Sequence, residues 1–208
     1  LPALSPGAAG LAWAHSSAGS ALSENSFMAA YAASLPVAER VGRISGGLAF
    51  RYGFANYGGV HGTVASWDAG LSYGIGRERA LRIGFAAFAW NRPKIRWDSA
   101  AAEKVPVRFR SGVAWSGKGA LDGLVVAFDW VTSAGDDTGA ARDRFLAGAE
   151  YRIRRRFTIR AGFSDAGVSG RTVRAGFRLQ ASGFAVDYAF MYGGDLGASH
   201  LAGIEVKP

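Results

Sequence analysis

An alternation of period two runs through almost the whole chain, and few folds accommodate it. Strict alternation of apolar with polar or small residues marks a strand whose two faces meet different surroundings. From Arg43, one set of alternate positions reads Ile44, Gly46, Leu48, Phe50, Tyr52, Phe54, and the other Arg43, Ser45, Gly47, Ala49, Arg51, Gly53. From Trp67, the set Trp67, Ala69, Leu71, Tyr73, Ile75 opposes Asp68, Gly70, Ser72, Gly74. The pattern recurs over 105–115, 124–130, 145–153, 157–163, 172–180 and 184–190. Strands at 11–17, 27–35, 80–92 and 199–207 bring the total to about twelve, each near the ~9–11 residues a tilted strand needs to cross a bilayer. Over 80–92, Leu81, Ile83 and Phe85 fit one face and Phe88 and Trp90 the other, which predicts a bulge.

The chain has 208 residues, of which 49% are hydrophobic. No stretch approaches the roughly 18 consecutive apolar residues of a transmembrane helix. The apolar content comes in short runs, such as Gly84 to Trp90 and Gly123 to Phe128. That dispersal is how a barrel distributes its lipid-facing surface. The fold predicted is therefore all-β: a single-domain (1–208), antiparallel, up-and-down transmembrane β-barrel in the bacterial outer membrane. Leu1 reads as mature sequence, so the export signal such a protein needs is expected to have been removed or left out. The 30 glycines leave room for larger neighbours on a barrel wall. They show no every-third-residue period, which excludes collagen. The absence of cysteine excludes a disulfide framework and cysteine-based zinc sites.

Connection lengths supply a second line of argument. Short connections are expected around 36–42, 76–79, 116–119, 154–156 and 181–183, and longer ones around 18–26, 55–62, 93–104, 133–141, 165–170 and 193–198. Short and long alternate, as periplasmic turns and external loops do in outer-membrane barrels. Both termini then fall on the periplasmic side. Tyr52, Phe54, Trp67, Trp90, Trp130, Tyr188 and Tyr192 collect toward the long loops. Tyr73, Trp115, Tyr151 and Phe157 collect toward the short turns. The two groups have the form of aromatic girdles.

The net charge of +8 would suggest nucleic acid as the partner of a soluble protein. The alternation places it elsewhere. The face opposite the apolar one carries Arg43, Arg51, Arg82, Arg108, Arg110, Arg144, Arg152, Arg160, Arg174 and Arg178, with Asp68, Asp129, Glu150 and Asp187. Facing lipid at mid-bilayer, each Arg would cost about 2–4 kcal/mol, so these side chains are expected to face the lumen. Two readings follow: a lumen filled by arginines paired with the acids, or a passage that favours anions. The basic run Arg152–Arg156 reads as a periplasmic turn against lipid phosphates rather than a nucleic-acid patch, since no binding module surrounds it.

Catalytic signals are weak. Ser17 shares a strand face with His15, but no orienting acid is identifiable for a nucleophile–base pair. No two of His15, His61 and His200 stand at metal-ligand spacing along the chain. Asp136 and Asp137 read as a solvated loop pair, and the glycine-rich stretches lack the strand–loop–helix context of a phosphate cradle. No enzyme activity, cofactor or metal is expected.

Several segments, taken in order, are similar to one family. They are Pro106-Val107-Arg108-Phe109-Arg110-Ser111-Gly112-Val113-Ala114, Ala147-Gly148-Ala149-Glu150-Tyr151, Ile159-Arg160-Ala161-Gly162-Phe163, and Leu196-Gly197-Ala198-Ser199-His200 after Asp187-Tyr188-Ala189-Phe190. Together they resemble the PorV/PorQ family of outer-membrane proteins, related to FadL-type transporters. The resemblance implies a barrel of up to about fourteen strands. It also implies association with the translocon of a type IX secretion system and the shuttling of secreted cargo. Members carry an Asn-Pro-Ala turn, of which Leu1-Pro2-Ala3 reads as a remnant. The expected partners are outer-membrane lipids and other proteins of a membrane assembly, with no nucleic acid. The proposed partner-facing loop holds Arg92, Lys94, Arg96, Trp97 and Asp98, which combine charge with an aromatic anchor. The alternatives are a transporter or channel for hydrophobic or anionic small molecules, and a soluble barrel binding an apolar ligand.

Overall fold

Each alternating segment forms a strand hydrogen-bonded to the next one in the chain. In a computed structural model of the protein, the described residues are 7–18, 22–38, 42–75, 80–98, 101–134, 142–154, 156–165, 170–193 and 197–206. The strands are β1 (Ala8–Ala18), β2 (Leu22–Ala38), β3 (Gly42–Tyr57), β4 (Val60–Ile75), β5 (Leu81–Phe88), β6 (Lys94–Trp97), β7 (Glu103–Lys104), β8 (Val107–Ser116), β9 (Leu124–Ala134), β10 (Arg142–Ile153), β11 (Phe157–Asp165), β12 (Arg171–Ala181), β13 (Phe184–Gly193) and β14 (Ala198–Val206). β1 to β5 and β8 to β14 form one antiparallel meander in chain order. β6 and β7 form a small hairpin attached to β4. β1 and β14 end the sheet, with no strand on their outer edges among the described residues.

The pairing registers sort the side chains. Directly opposed residues share a face, and Phe50 lies opposite Trp67, Leu71 opposite Phe85, and Val113 opposite Phe128. The apolar sets of all twelve long strands therefore form one surface. That surface is exposed: Leu71, Phe85, Phe128, Ile159 and Phe177 are among many large hydrophobic side chains open to the surroundings. The buried hydrophobic residues among those described are Ala89, Val107 and Ala185. A water-soluble domain of this size would bury its large side chains in a core. This chain turns them outward, as a wall immersed in lipid does. Across neighbouring strands the outward rings stack, Phe85 on Phe109 and Phe128 on Phe145.

The register also gives the slant of the wall. From Ala8, the first residue of β1, the opposed partners run through Ala32, Gly47, Gly70, Ala86, Arg110 and Val131 to Arg144. Arg144 lies at the other end of the wall, near the start of β10. The path rises roughly 30 Å along the strands over roughly 34 Å across them, a slant of roughly 40°. Closed barrels tilt by about 35–45°.

Two expectations are corrected. The first is the bulge in the strand after residue 80. β5 is regular to Phe88, which faces Arg108 by ordinary alternation, and the strand then ends at Ala89, whose φ is 53°. Trp90 lies in the following turn. The second is the alternation of short and long connections. The loop expected at 55–62 is a two-residue turn, Gly58-Gly59, with φ of 57° and 89°. Positive φ at both turn positions gives the tight hairpin that glycine allows. The connection between β1 and β2 spans only 19–21, whereas the one expected short at 116–119 runs over 117–123 and includes a single 3-10 turn. Residues 55–62 are strand on either side of the Gly58-Gly59 turn, but their outward positions, Asn56 opposite His61, are polar, so the apolar alternation stops there. β2, β3 and β4 are 17, 16 and 16 residues long. They outreach the other long strands by about five residues, or roughly 17 Å. The longest connection, the excursion 89–106, marks one end of the wall, the mouth.

Candidate functional site: the charged concave face

All fourteen charged residues singled out in the sequence lie on the face opposite the apolar surface. Arg43 and Arg82 flank Gly74, Arg110 lies opposite Ala86, Asp129 opposite Gly112, and Arg174 opposite Gly162. A cavity of about 630 Å³ on this face is bounded by residues from Ala32 on β2 to Asp129 on β9. The sheet therefore curves with its charged face inward. Glycine and alanine at Gly47, Gly70, Gly84, Ala86, Gly112 and Ala114 line the same cavity, so the long arginine side chains have space above their neighbours.

The four carboxylates singled out in the sequence are all engaged. Arg51 Nη2 donates to Asp68 Oδ2 at 3.1 Å, and Arg110 Nη2 to Asp129 Oδ2 at 2.6 Å. Gly112 makes the second pair possible, because a β-carbon there would collide with Asp129. Toward the other end of the sheet the pairs join into a chain. Arg160 Nε donates to Glu150 Oε2 at 2.8 Å and its Nη1 to Asp187 Oδ1 at 3.3 Å. Arg178 bridges Asp187, at 2.9 Å, and Glu205. Glu150 also lies 4.0 Å from Arg152. Arg160 and Asp187 meet across the intervening β12, and Arg178 and Glu205 across β13. These links run along the wall.

The pairing leaves a cationic surplus. Among the described residues, Arg43, Arg82, Arg108, Arg144 and Arg174 have no carboxylate within 4.0 Å. Arg108 instead lies over the Phe88 ring, 5.6 Å from its centroid. Arg82 lines the large cavity. The sequence expectation of lumen-facing charge missed one member, Glu205, which the β13 register places beside Ala185 on the concave face. Period two from Leu201 would have found it.

The excursion after β5 is an ordered structure. Asn91 stands in for a strand residue beside β4: its Oδ1 accepts from Trp67 N at 3.0 Å and its Nδ2 donates to Ala65 O at 3.2 Å. Asp68 Oδ1 accepts from Ala89 N at 2.9 Å. β6 then resumes the ladder, with Trp97 opposite Gly62 and Arg96 opposite Thr63. A β-carbon on Gly62 would lie 2.5 Å from the Trp97 ring, so glycine is what lets the indole lie on β4. Of the residues of the proposed partner loop, Arg92, Lys94, Arg96 and Asp98 are exposed, whereas Trp97 is half-buried against its own sheet and is not a free anchor.

The histidines do not form a nucleophile–base pair. His15 Nδ1 lies 3.0 Å from Asn25 Oδ1, with the ring stacked on Trp13. His200 Nδ1 lies 2.7 Å from Tyr188 Oη. His61 uses its backbone carbonyl to accept from Asp98 N. Leu1 to Ala3, Arg155, and the loop with Asp136 and Asp137 lie outside the described residues.

Three solved structures are similar to this chain. One is a mutant of the Rh. blastica porin, at 10% identity and TM-score 0.47 over 93% of this chain and 87% of that one. Another is the translocator domain of the autotransporter NalP from Neisseria meningitidis, at 10% identity and TM-score 0.45 over 95% and 83%. The third is described as asymmetric conductivity of engineered proteins, at 12% identity and TM-score 0.41 over 95% and 96%. No family model and no curated protein sequence matches the chain, so nothing among them singles out the PorV/PorQ family.

Proposed function

We propose that the protein is a non-enzymatic β-barrel of the bacterial outer membrane whose basic lumen passes small anionic solutes. The observation that carries this reading is the set of arginines on the concave face left without carboxylate partners, Arg43, Arg82, Arg108, Arg144 and Arg174. Unpaired guanidinium groups in a low-dielectric wall attract anions and repel cations. The ion pairs that do form lie along the wall, and the 630 Å³ cavity beside Arg82 and Arg110 is space that a filled lumen would not have. A wall of twelve long strands is wider than the eight-stranded barrels whose side chains fill the interior.

The test is ion conductance of the purified protein in a planar bilayer under a salt gradient. Steady current with a reversal potential toward the chloride equilibrium supports the reading. A cation-selective current, or silence from inserted protein, overturns it.

A second reading, an accessory of a secretion or surface-attachment assembly of the PorV type, draws on a different observation. β2, β3 and β4 outreach the rest of the wall and carry the β6–β7 hairpin, with Arg92, Lys94, Arg96 and Asp98 exposed. A rigid projection bearing charge is suited to a protein partner. Removing residues 94–104 should abolish any partner crosslinked in cells while leaving insertion intact. A crosslinked partner that persists after the deletion argues against the projection as its docking site.

A further inference from the structure

A second cavity, of about 570 Å³, opens on the concave face at the mouth end, away from the one beside Arg82 and Arg110. The strand registers build it. Ser16, Glu24, Ala55, Gly62 and Trp97 form one row across β1, β2, β3, β4 and β6, each opposite the next. Opposed residues share a face, and Ala55 alternates with Gly53 and Arg51 on the lumen side. Ala55 and Gly62 have almost no side chain, so the row is tall at Glu24 and at Trp97 and low between them. The six-membered ring of the indole lies over Gly62, where a β-carbon would come within 2.5 Å of it. Val64 and Ile95 extend the apolar floor. Ile95 lies opposite Glu103 on β7, which brings Glu103 to the same side as the indole.

The sign of the charge reverses here. Elsewhere the concave face has more arginine than carboxylate. In this cavity Glu24 and Glu103 are exposed, and among the described residues neither has a basic group within 4.0 Å. Arg51 is the cation that lines the cavity, and its charge is matched by Asp68. The cations of the hairpin project from its other face, Arg96 opposite Thr63 and Lys94 opposite Lys104.

We propose that this cavity binds small organic cations, ammonium ions that carry an apolar body. Each part of the lining has a counterpart in such a ligand. An aromatic face attracts a cation within about 6 Å of its centroid, most strongly when the ring is an indole. Val64 and Ile95 cover the apolar body and displace water from it. Glu24 and Glu103 supply the opposite charge from the two sides. A bare metal ion makes no use of the apolar floor and needs several oxygen ligands at close range. An anion meets two carboxylates that have no cation of their own, a juxtaposition that rejects it. The site stands on the shape and charge of the mouth cavity and holds whether or not the lumen conducts.

The probe is phenyltrimethylammonium, titrated calorimetrically into the full-length protein in a non-ionic detergent, with benzenesulfonate as an anion of similar size. Phenyltrimethylammonium should bind saturably, and benzenesulfonate should neither bind in the cavity nor displace it. Glu24→Gln removes an exposed charge that holds nothing else in place, and should weaken binding roughly threefold; Glu103→Gln should do the same. Trp97→Leu should weaken it roughly threefold or more. Because that substitution also bears on the hairpin, the two glutamine variants keep the test independent of folding. No saturable binding of phenyltrimethylammonium overturns the site. Benzenesulfonate binding as tightly, or full affinity in both glutamine variants, overturns the cation: the cavity would then take apolar ligands without regard to charge.

Discussion

Arg51 and Asp68 hold the mouth of the barrel through one carboxylate. Asp68 Oδ2 accepts from Arg51 Nη2 at 3.1 Å, while its Oδ1 accepts from the backbone N–H of Ala89 at 2.9 Å. The first bond ties β3 to β4. The second stops β5 and turns the chain into the excursion. Asp68 is 9% exposed, and little water reaches it to replace a lost partner.

Asp68→Ala should therefore cost about 1–3 kcal/mol, chiefly by leaving the buried Ala89 N–H without its acceptor. It should also loosen residues 89–106 before the rest of the wall. Hydrogen exchange resolved by segment checks both. Asp68→Asn keeps an acceptor and should lose less. Equal protection of the excursion in wild type and Asp68→Ala would show that the carboxylate does not hold it.

Gly62 and Trp97 give a second, steric prediction. A β-carbon at position 62 meets the indole at 2.5 Å. Gly62→Ala should push the ring off β4 and free the hairpin that carries it. Trypsin should then cut after Lys94 or Arg96 faster than in the wild type, with β2 to β5 still folded. Unchanged cleavage would mean the indole finds another position at no cost.

How much of this was legible in the sequence depends on which surface a residue meets. Period two alone puts Leu71 and Ser72 on opposite faces, because lipid on one side and a polar lumen on the other impose a difference at every step. Where that difference stops, so does the signal. Residues 55–57 and 60–62 are strand, but Asn56 and His61 make their outward positions polar and Gly58-Gly59 sits between them, so the segment reads as loop. Phe88 reads as the sign of a bulge because an aromatic side chain on the lumen face is unexpected; its partner, Arg108, comes from another strand. Trp97 read as a free anchor because nothing local shows that Gly62 leaves a place for it. Which arginines find carboxylates is also a matter of tertiary register. Arg160 reaches Asp187 across β12, a relationship with no trace in local spacing.

The unpaired arginines predict how selectivity changes. Arg82 lines the large cavity with no carboxylate of its own, whereas Arg178 is held by Asp187 and Glu205. Arg82→Glu should shift the reversal potential toward cations without a large loss of stability. Arg178→Ala should act chiefly on stability, by leaving two carboxylates without their cation. The side chains of these pairs are partly exposed, so solvent screening keeps the loss small. Bilayer reversal potentials and denaturant midpoints separate the two effects. The lumen reading fails if both variants change selectivity equally.

Leu71 and Ser72 allow the membrane itself to be tested. They are neighbours on β4 and point to opposite faces, Leu71 opposite Phe85 and Ser72 opposite Gly84. Leu71 is 57% exposed. In a soluble protein, arginine at so open a position would be nearly free. In a lipid-facing wall it costs about 2–4 kcal/mol near the midplane. Ser72→Arg adds one more cation to the lumen, where glycine neighbours leave room and water can reach it. Folding into lipid vesicles should therefore be weakened severalfold more by Leu71→Arg than by Ser72→Arg, read as the shift in denaturant midpoint. The same ranking should disappear in aqueous buffer without lipid or detergent, where neither face has a bilayer to meet. If the two substitutions prove equally tolerated in vesicles, the apolar face does not contact lipid, and the exposed rings along it must be covered by protein instead.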